Sequence, residues 1–403
     1  MKVEAATSPQ PLTEDLMERV EEPGVSGDAG LAPAEAGQKV LVLQGGGALG
    51  AYQGGVFEAL AEGGLTPDWV IGTSIGAINA ALIAGNRPED RLSRLHAFWR
   101  RVQHGGLTRA AASGWLFGRV WADAMVAATG VPGFFEPATS ALFGMDARVG
   151  AERAAFYSTA PLEQTLHELV DFDLLNDGPM RLTVGTTNLR TAEMRYFDSR
   201  AERLTARHIM ASCALPPSFP PVRIDGELYW DGGVVSNTPV EAVFDDNPRR
   251  SGLAICVHMW DPDGREPDSL TKVLAREKDV RYSSRAVSHI ARQKQLHKLR
   301  HVISELSKRL PAEVLASPEV RALTAYGCTT RMHVVRLMAP ALAGDAATKD
   351  IDFNAENIQA RWRQGRLDTE HLLAEAPWRG EFDDLEGFIL HEARDGRVVD
   401  GPG

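Results

Sequence analysis

Cysteine is scarce in this chain of 403 residues: Cys213, Cys256 and Cys328 are scattered, with no C-x-x-C pair. That scatter fits a reducing compartment and offers no zinc spacing. The eleven histidines include no H-E-x-x-H or other metal-ligand arrangement, so no metal is expected. Positive charge is the minority sign, with 43 Lys and Arg against 54 Asp and Glu and a net charge of -11. Nucleic acid as the main partner needs a basic footprint, and the chain has none overall. No apolar run approaches the roughly 18 residues that span a bilayer. "AINAALIAG", from Ala77, is too short and reads as a buried helix. The N-terminus lacks the basic-then-apolar order of a secretory signal, so a cytoplasmic protein is expected. No internal repeat is visible.

What is present is an ordinary folded composition, 44% apolar and 24% charged. Residues 1–38 carry eight Asp and Glu against Lys2 and Arg19 and read as a disordered acidic leader, with a short helix allowed at "LTEDLMERVEE" behind Thr13. From Lys39 strands and helices alternate. "KVLVL" and "DWVIG" read as strands, "AYQGGVFEALAEGG" and "SIGAINAALIAG" as helices closed by glycine. Residues 89–170 read as largely helical. "GWLFGRVWADAMVAATGVPGFFEP" within them reads as a loop-helix cap that shapes a pocket. "MRLTVGTTNL", "EMRYFD", "ELYWD", "GLAICVHMW" and "RMHVVRLM" add strands. The alternation predicts an α/β fold, three layers α/β/α around a mainly parallel sheet. It places one domain over 39–340, with a helical insertion at about 268–325. An acidic helical C-terminal extension follows over 341–403, with 14 Asp and Glu against 7 Lys and Arg from Pro340 on.

Two glycine-rich turns carry the chemistry. Gly45-Gly46-Gly47-Ala48-Leu49-Gly50 satisfies G-x-G-x-x-G, the dinucleotide fingerprint. A nucleotide fold places an acid at the end of the next strand. Here that strand ends in Gly72-Thr73-Ser74, and Asp68 stands at its start. Alone, the loop could hold a cofactor, make a tight turn or face another anion.

Gly72-Thr73-Ser74-Ile75-Gly76 is G-x-S-x-G between an apolar strand and an apolar helix. A nucleophilic serine needs a strand-to-helix turn too sharp for side chains two residues either side, and Gly72 and Gly76 remove them. The following helix points its positive dipole end at the site. The plainer alternative is Ser74 as a helix N-cap. With a nucleophile next door, Gly45, Gly46 and Gly47 can turn bare amides toward a tetrahedral oxyanion. His208, His258 and His333 lie inside elements, so none is an obvious base. Asp231 ends a strand and is followed by Gly232 and Gly233, which opens space beside its carboxylate. An ordinary turn is the competing reading of "DGG".

Together these blocks resemble the patatin-like phospholipase family: "GGGALG" at 45–50, "GTSIG" at 72–76, "ASCALPPSFPPV" at 211–222 and "DGG" at 231–233, in that order. "KDIDFNAENIQARWRQG" resembles the C-terminal tract of bacterial members more loosely. The resemblance implies hydrolysis of lipid acyl esters by a Ser–Asp dyad, with no histidine, cofactor or metal. Ser74 becomes the nucleophile, Asp231 the general base, and the amides around Gly46 and Gly47 the oxyanion hole. The implied partner is a lipid ester. The rival class is a lipid- or protein-binding scaffold of the same fold without turnover.

One further segment implies a surface. Residues 281–310 hold eight Lys and Arg and one Glu, with Leu299, Val302, Ile303, Leu306 and Leu310 at helical spacing. This reads either as a peripheral docking face for an anionic bilayer or as a core-packing helix with a solvated back.

Overall fold

The computed structural model describes residues 37–103, 128–342, 345, 347–383, 386–394 and 397–400. The acidic leader, apart from its last two residues, lies outside them, and so does most of the aromatic stretch from Gly114.

Among the described residues ten strands form one sheet: β1 Gln38–Leu43, β2 Trp69–Thr73, β3 Arg181–Asn188, β4 Met194–Asp198, β5 Val222–Ile224, β6 Glu227–Asp231, β7 Gly252–His258, β8 Met332–Met338, β9 Phe388–Arg394 and β10 Arg397–Asp400. Their order is β10-β9-β8-β7-β1-β2-β3-β6-β5, with β4 also paired to β3. The six strands from β9 to β3 run parallel, and the antiparallel strands lie at the two ends.

The central strands are apolar along their whole length because both faces are covered. On β1, Leu41 and Leu43 belong to one core, and Val40 and Val42 to the core on the other face. The first core receives α1 Ala51–Glu62, α2 Ile75–Ala84 and α3 Arg91–Arg101. The second receives Phe244 and, from the 38-residue helix α4 Leu270–Ser307, Ile290.

Two stretches differ from the expected elements. Between Thr129 and Thr159 the described residues make 3-10 turns and a two-residue strand pair, Glu136–Pro137 with Tyr157–Ser158, rather than helix. Glycines at 130, 133, 144 and 150 with positive φ interrupt any helical run there. The C-terminal region contains the expected helix, α5 Ala355–Glu375, but then returns to the sheet as β9 and β10. Helix α5 packs on α1 backbone to backbone. A Cβ at Gly55 would lie 1.9 Å from the Trp362 carbonyl, and one at Gly365 would lie 2.1 Å from that of Tyr52.

Candidate active site

The register of β3 brings the two functional strand ends together. Its edge pairs first with β2, ending at Thr73 opposite Gly185. One residue on, the same edge pairs with β6, which runs the other way and ends at Asp231 opposite Thr186. Strand β4 occupies the opposite edge. So β2 and β6 meet head-on, and Ser74 and Asp231 emerge from facing strand ends.

Ser74 stands at φ 56, ψ -127, a conformation that costs an L-residue about 1–3 kcal/mol. Its surroundings hold it there. Its N–H donates to Ser212 Oγ at 2.9 Å, and Ser212 Oγ donates to the Gly185 carbonyl at 2.7 Å. Its carbonyl accepts from Ala77 N–H at 2.8 Å and from Cys213 Sγ at 3.2 Å. The elbow closes only over glycine. A Cβ at Gly72 would lie 2.3 Å from the Gly76 carbonyl, and one at Gly76 would lie 2.2 Å from that of Leu43.

Asp231 is buried, 1% exposed. Its carboxylate accepts the Gly233 N–H at 2.7 Å and lines the same cavity as Ser74. Burial pushes its pKa up from 3.8 to about 7, against the lowering pull of the neighbouring Ser74 side chain and the Gly233 N–H. Gly232 lies against Gly185, where a Cβ would come within 2.5 Å of the carbonyl. The neighbouring thiol of Cys213 is also buried. Burial first, and the Asp231 charge second, push it well above its ordinary value, so it stays protonated.

The glycine loop needs one correction. Gly45 is not a free donor: its N–H is given to the Asn237 carbonyl at 3.2 Å. Its own carbonyl accepts from Asn237 Nδ2 at 3.1 Å and Trp260 Nε1 at 2.8 Å. The Ala48 N–H is likewise taken, by the Asp350 carbonyl at 2.8 Å. Among the described residues no acceptor takes the N–H of Gly46 or Gly47, which cap and begin a 3-10 turn. Gly47 has φ 56, and a Cβ on it would meet the Asp350 carbonyl at 2.2 Å. A pyrophosphate cradle would need more of the loop's amides than these two.

A cavity of about 350 Å³ opens over Ser74, Asp231 and Gly45 to Gly47. Phe134, Phe135, Phe219 and Phe353 form its apolar wall, with ring centroids 5.2–6.0 Å apart. Lys278, Tyr282 and Asp350 line another part. No histidine lines it among the described residues. His208 caps its own helix, its Nδ1 accepting from the Thr205 N–H at 2.9 Å. His333 stands 3.0 Å from His391 between neighbouring strands. Among the described residues no group of three or more His, Cys, Asp or Glu is placed to hold a metal ion.

Sequence reasoning missed Ser212, Asn237, Lys278 and Asp350. Ser212 lay within the quoted "ASCALPP" block, and Asn237 lies six residues after Asp231. Asp350 lay within the quoted "KDIDFNAENIQARWRQG" tract, and nothing local marks Lys278, which reaches the site from a remote part of the chain.

Known proteins resemble this chain. The model for patatin-like phospholipases matches residues 41–244, half of the chain, and a second, described as patatin phospholipase, matches 280–385. Lysophospholipase NTE1 of Yarrowia lipolytica is 27% identical over 270 residues, 61% of this chain and 16% of that protein. The human patatin-like phospholipase domain-containing protein 6 is 27% identical over 202 residues, 50% of this chain and 12% of that protein. The chain therefore spans only 12–16% of the length of these two relatives. Among solved structures, VipD from Legionella pneumophila aligns over 84% of this chain and 66% of its own, at 16% identity and a TM-score of 0.36.

Proposed function

The chain belongs to the patatin-like phospholipase family, and on that premise we propose that it is a serine lipid acyl hydrolase working through Ser74 and Asp231. One observation carries the reading. Ser74 and the buried Asp231 carboxylate line one aromatic cavity from facing strand ends, the serine lowering the pKa of that carboxylate, beside two amides without acceptors.

In this reading the acyl chain lies against the phenylalanine wall and the ester carbonyl sits over the glycine loop. Ser74 Oγ attacks the carbonyl carbon while Asp231 takes its proton. The N–H groups of Gly46 and Gly47, and the N-terminal end of α2, stabilise the oxyanion. Collapse breaks the ester C–O bond, and Asp231 returns the proton to the leaving alcohol. Water then attacks the acyl-serine as Asp231 accepts its proton, and Ser74 takes it back as the fatty acid leaves. The pKa near 7 suits this exchange, since the same group must accept and return a proton near neutrality.

The test is labelling by a fluorophosphonate serine probe together with hydrolysis of short p-nitrophenyl esters and a lipid panel. The native chain is expected to label and turn over, and Ser74→Ala to do neither while keeping its fold. Retained hydrolysis in Ser74→Ala refutes the assignment.

Peripheral contact with a lipid surface belongs to the same proposal. No helix among the described residues is long and apolar enough to cross a membrane. On α4, however, Leu299, Val302 and Leu306 are 60%, 44% and 56% exposed, beside the exposed Arg292 and Lys298. That exposure argues against a core-packing stripe and supports an amphipathic docking face.

A further inference from the structure

A segment remote in sequence closes the outer side of the glycine loop. Asp350 is its centre. The Asp350 carbonyl accepts the Ala48 N–H at 2.8 Å and fills the space that a Cβ on Gly47 would need. Two crossed ion pairs tie the segment to α4. Lys278 donates to both carboxylate oxygens of Asp350, at 2.7 and 2.9 Å, and to the Ala347 carbonyl at 2.9 Å. Lys349 pairs in the other direction with Asp279 at 2.7 Å. The Lys349 ammonium also lies 5.1 Å over the Trp260 ring, whose Nε1 holds the Gly45 carbonyl. Beyond the segment, α5 packs on α1, the helix that leaves the glycine loop.

This anchoring has an electrostatic cost. It brings Asp350, and with it a carboxylate, to the lining of the cavity that holds Gly46, Gly47 and Ser74. A bare carboxylate there opposes the negative charge that forms on the substrate oxygen. Lys278 is the only cation lining that cavity among the described residues, and it grips both oxygens of that carboxylate.

We propose that Lys278 and Asp350 are a positioning pair for the hydrolysis, an inference that rests on the acyl hydrolase reading. The Asp350 main chain holds the loop so that the Gly46 and Gly47 amides stay free. Lys278 fixes Asp350 and cancels the charge that comes with it. Removing Lys278 alone should therefore harm the transition state more than removing both charges.

The experiment uses the full chain with p-nitrophenyl butyrate as the probe and reads kcat and KM separately. Lys278→Met is expected to lower kcat roughly 10- to 100-fold with little change in KM, the size of an unscreened repulsion at several ångströms in an effective dielectric near 20. Lys278→Arg, which keeps the charge, should recover most of that loss. Lys278→Met/Asp350→Asn should come within about tenfold of the native kcat, because the opposing carboxylate is gone. A double variant as slow as Lys278→Met, or a Lys278→Met that works like the native chain, overturns the pairing. Should Lys278→Met not fold, the double variant decides alone, and a kcat more than about tenfold below native counts against the proposal. A native chain inert to the ester and to the fluorophosphonate probe overturns the hydrolase reading itself, and the pair's role with it.

Discussion

Replacing Asp231 with asparagine should abolish hydrolysis and at the same time stabilise the protein, with a gain that grows from about pH 4 and is complete above about pH 7. In the fold the Asp231 carboxyl titrates at about 7, against 3.8 when unperturbed. The folded chain thus holds this proton more tightly than the unfolded chain does. The favourable contribution is complete below about pH 4 and is lost as pH rises through about 7. Above that, the fold carries a buried charge that the unfolded chain would solvate. A shift of about three units, at about 1.4 kcal/mol each, sets a ceiling near 4 kcal/mol. Asparagine is neutral throughout and keeps the local bond: its Oδ1 can accept the Gly233 N–H. About half the ceiling, roughly 2 kcal/mol, would raise the melting midpoint at pH 8 by about 2–3 degrees. The assay is thermal unfolding of both proteins at pH 4.5 and pH 8, with p-nitrophenyl ester hydrolysis alongside. Titrations common to both proteins cancel in the difference. A variant that is no more stable than the native chain at pH 8, or one whose gain is equal at both pH values, would refute the argument that Asp231 is a buried base held at a cost.

The same titration shapes catalysis: kcat/KM should fall below about pH 7 with unit slope, and an acid limb near pH 4 would mean that a different group is the base. Ser212→Ala removes the link between the Ser74 N–H and the Gly185 carbonyl. It should cost about 1–3 kcal/mol in denaturant unfolding and slow turnover, whereas unchanged kcat would show that the elbow holds without it. Sedimentation with anionic vesicles should fall on reversing Arg292 and Lys298 to glutamate and on adding salt, while undiminished binding removes α4 as the docking face.

Much of the site was legible because it is local. Strand, turn and helix around Gly72, Ser74 and Gly76 lie within a few residues, and the carbonyl that requires Gly72 is that of Gly76, although Gly76 itself is required by Leu43 on the neighbouring strand. The glycine loop was legible as a bare-amide turn, though not in its detail. That Gly45 gives its N–H away depends on Asn237, nearly two hundred residues on. The two C-terminal strands escaped notice because "FILHEAR" and "RVVD" are short and follow an acidic tract. What makes them strands is the waiting edge of β8.

By itself the sequence determined the alternation of elements, the glycine-flanked turn at Ser74 and the candidate carboxylate, since each depends on neighbours along the chain. Only the tertiary structure decided that β2 and β6 meet end to end on one edge of β3. That register pairs β3 with β2, more than a hundred residues before it, and with β6, some forty-five after it, which local periodicity does not encode. The same long-range closure buries Asp231, and with it sets the charge state on which the proposed chemistry turns. It also brings Asp350 and Lys278 to a loop they follow by more than two hundred residues.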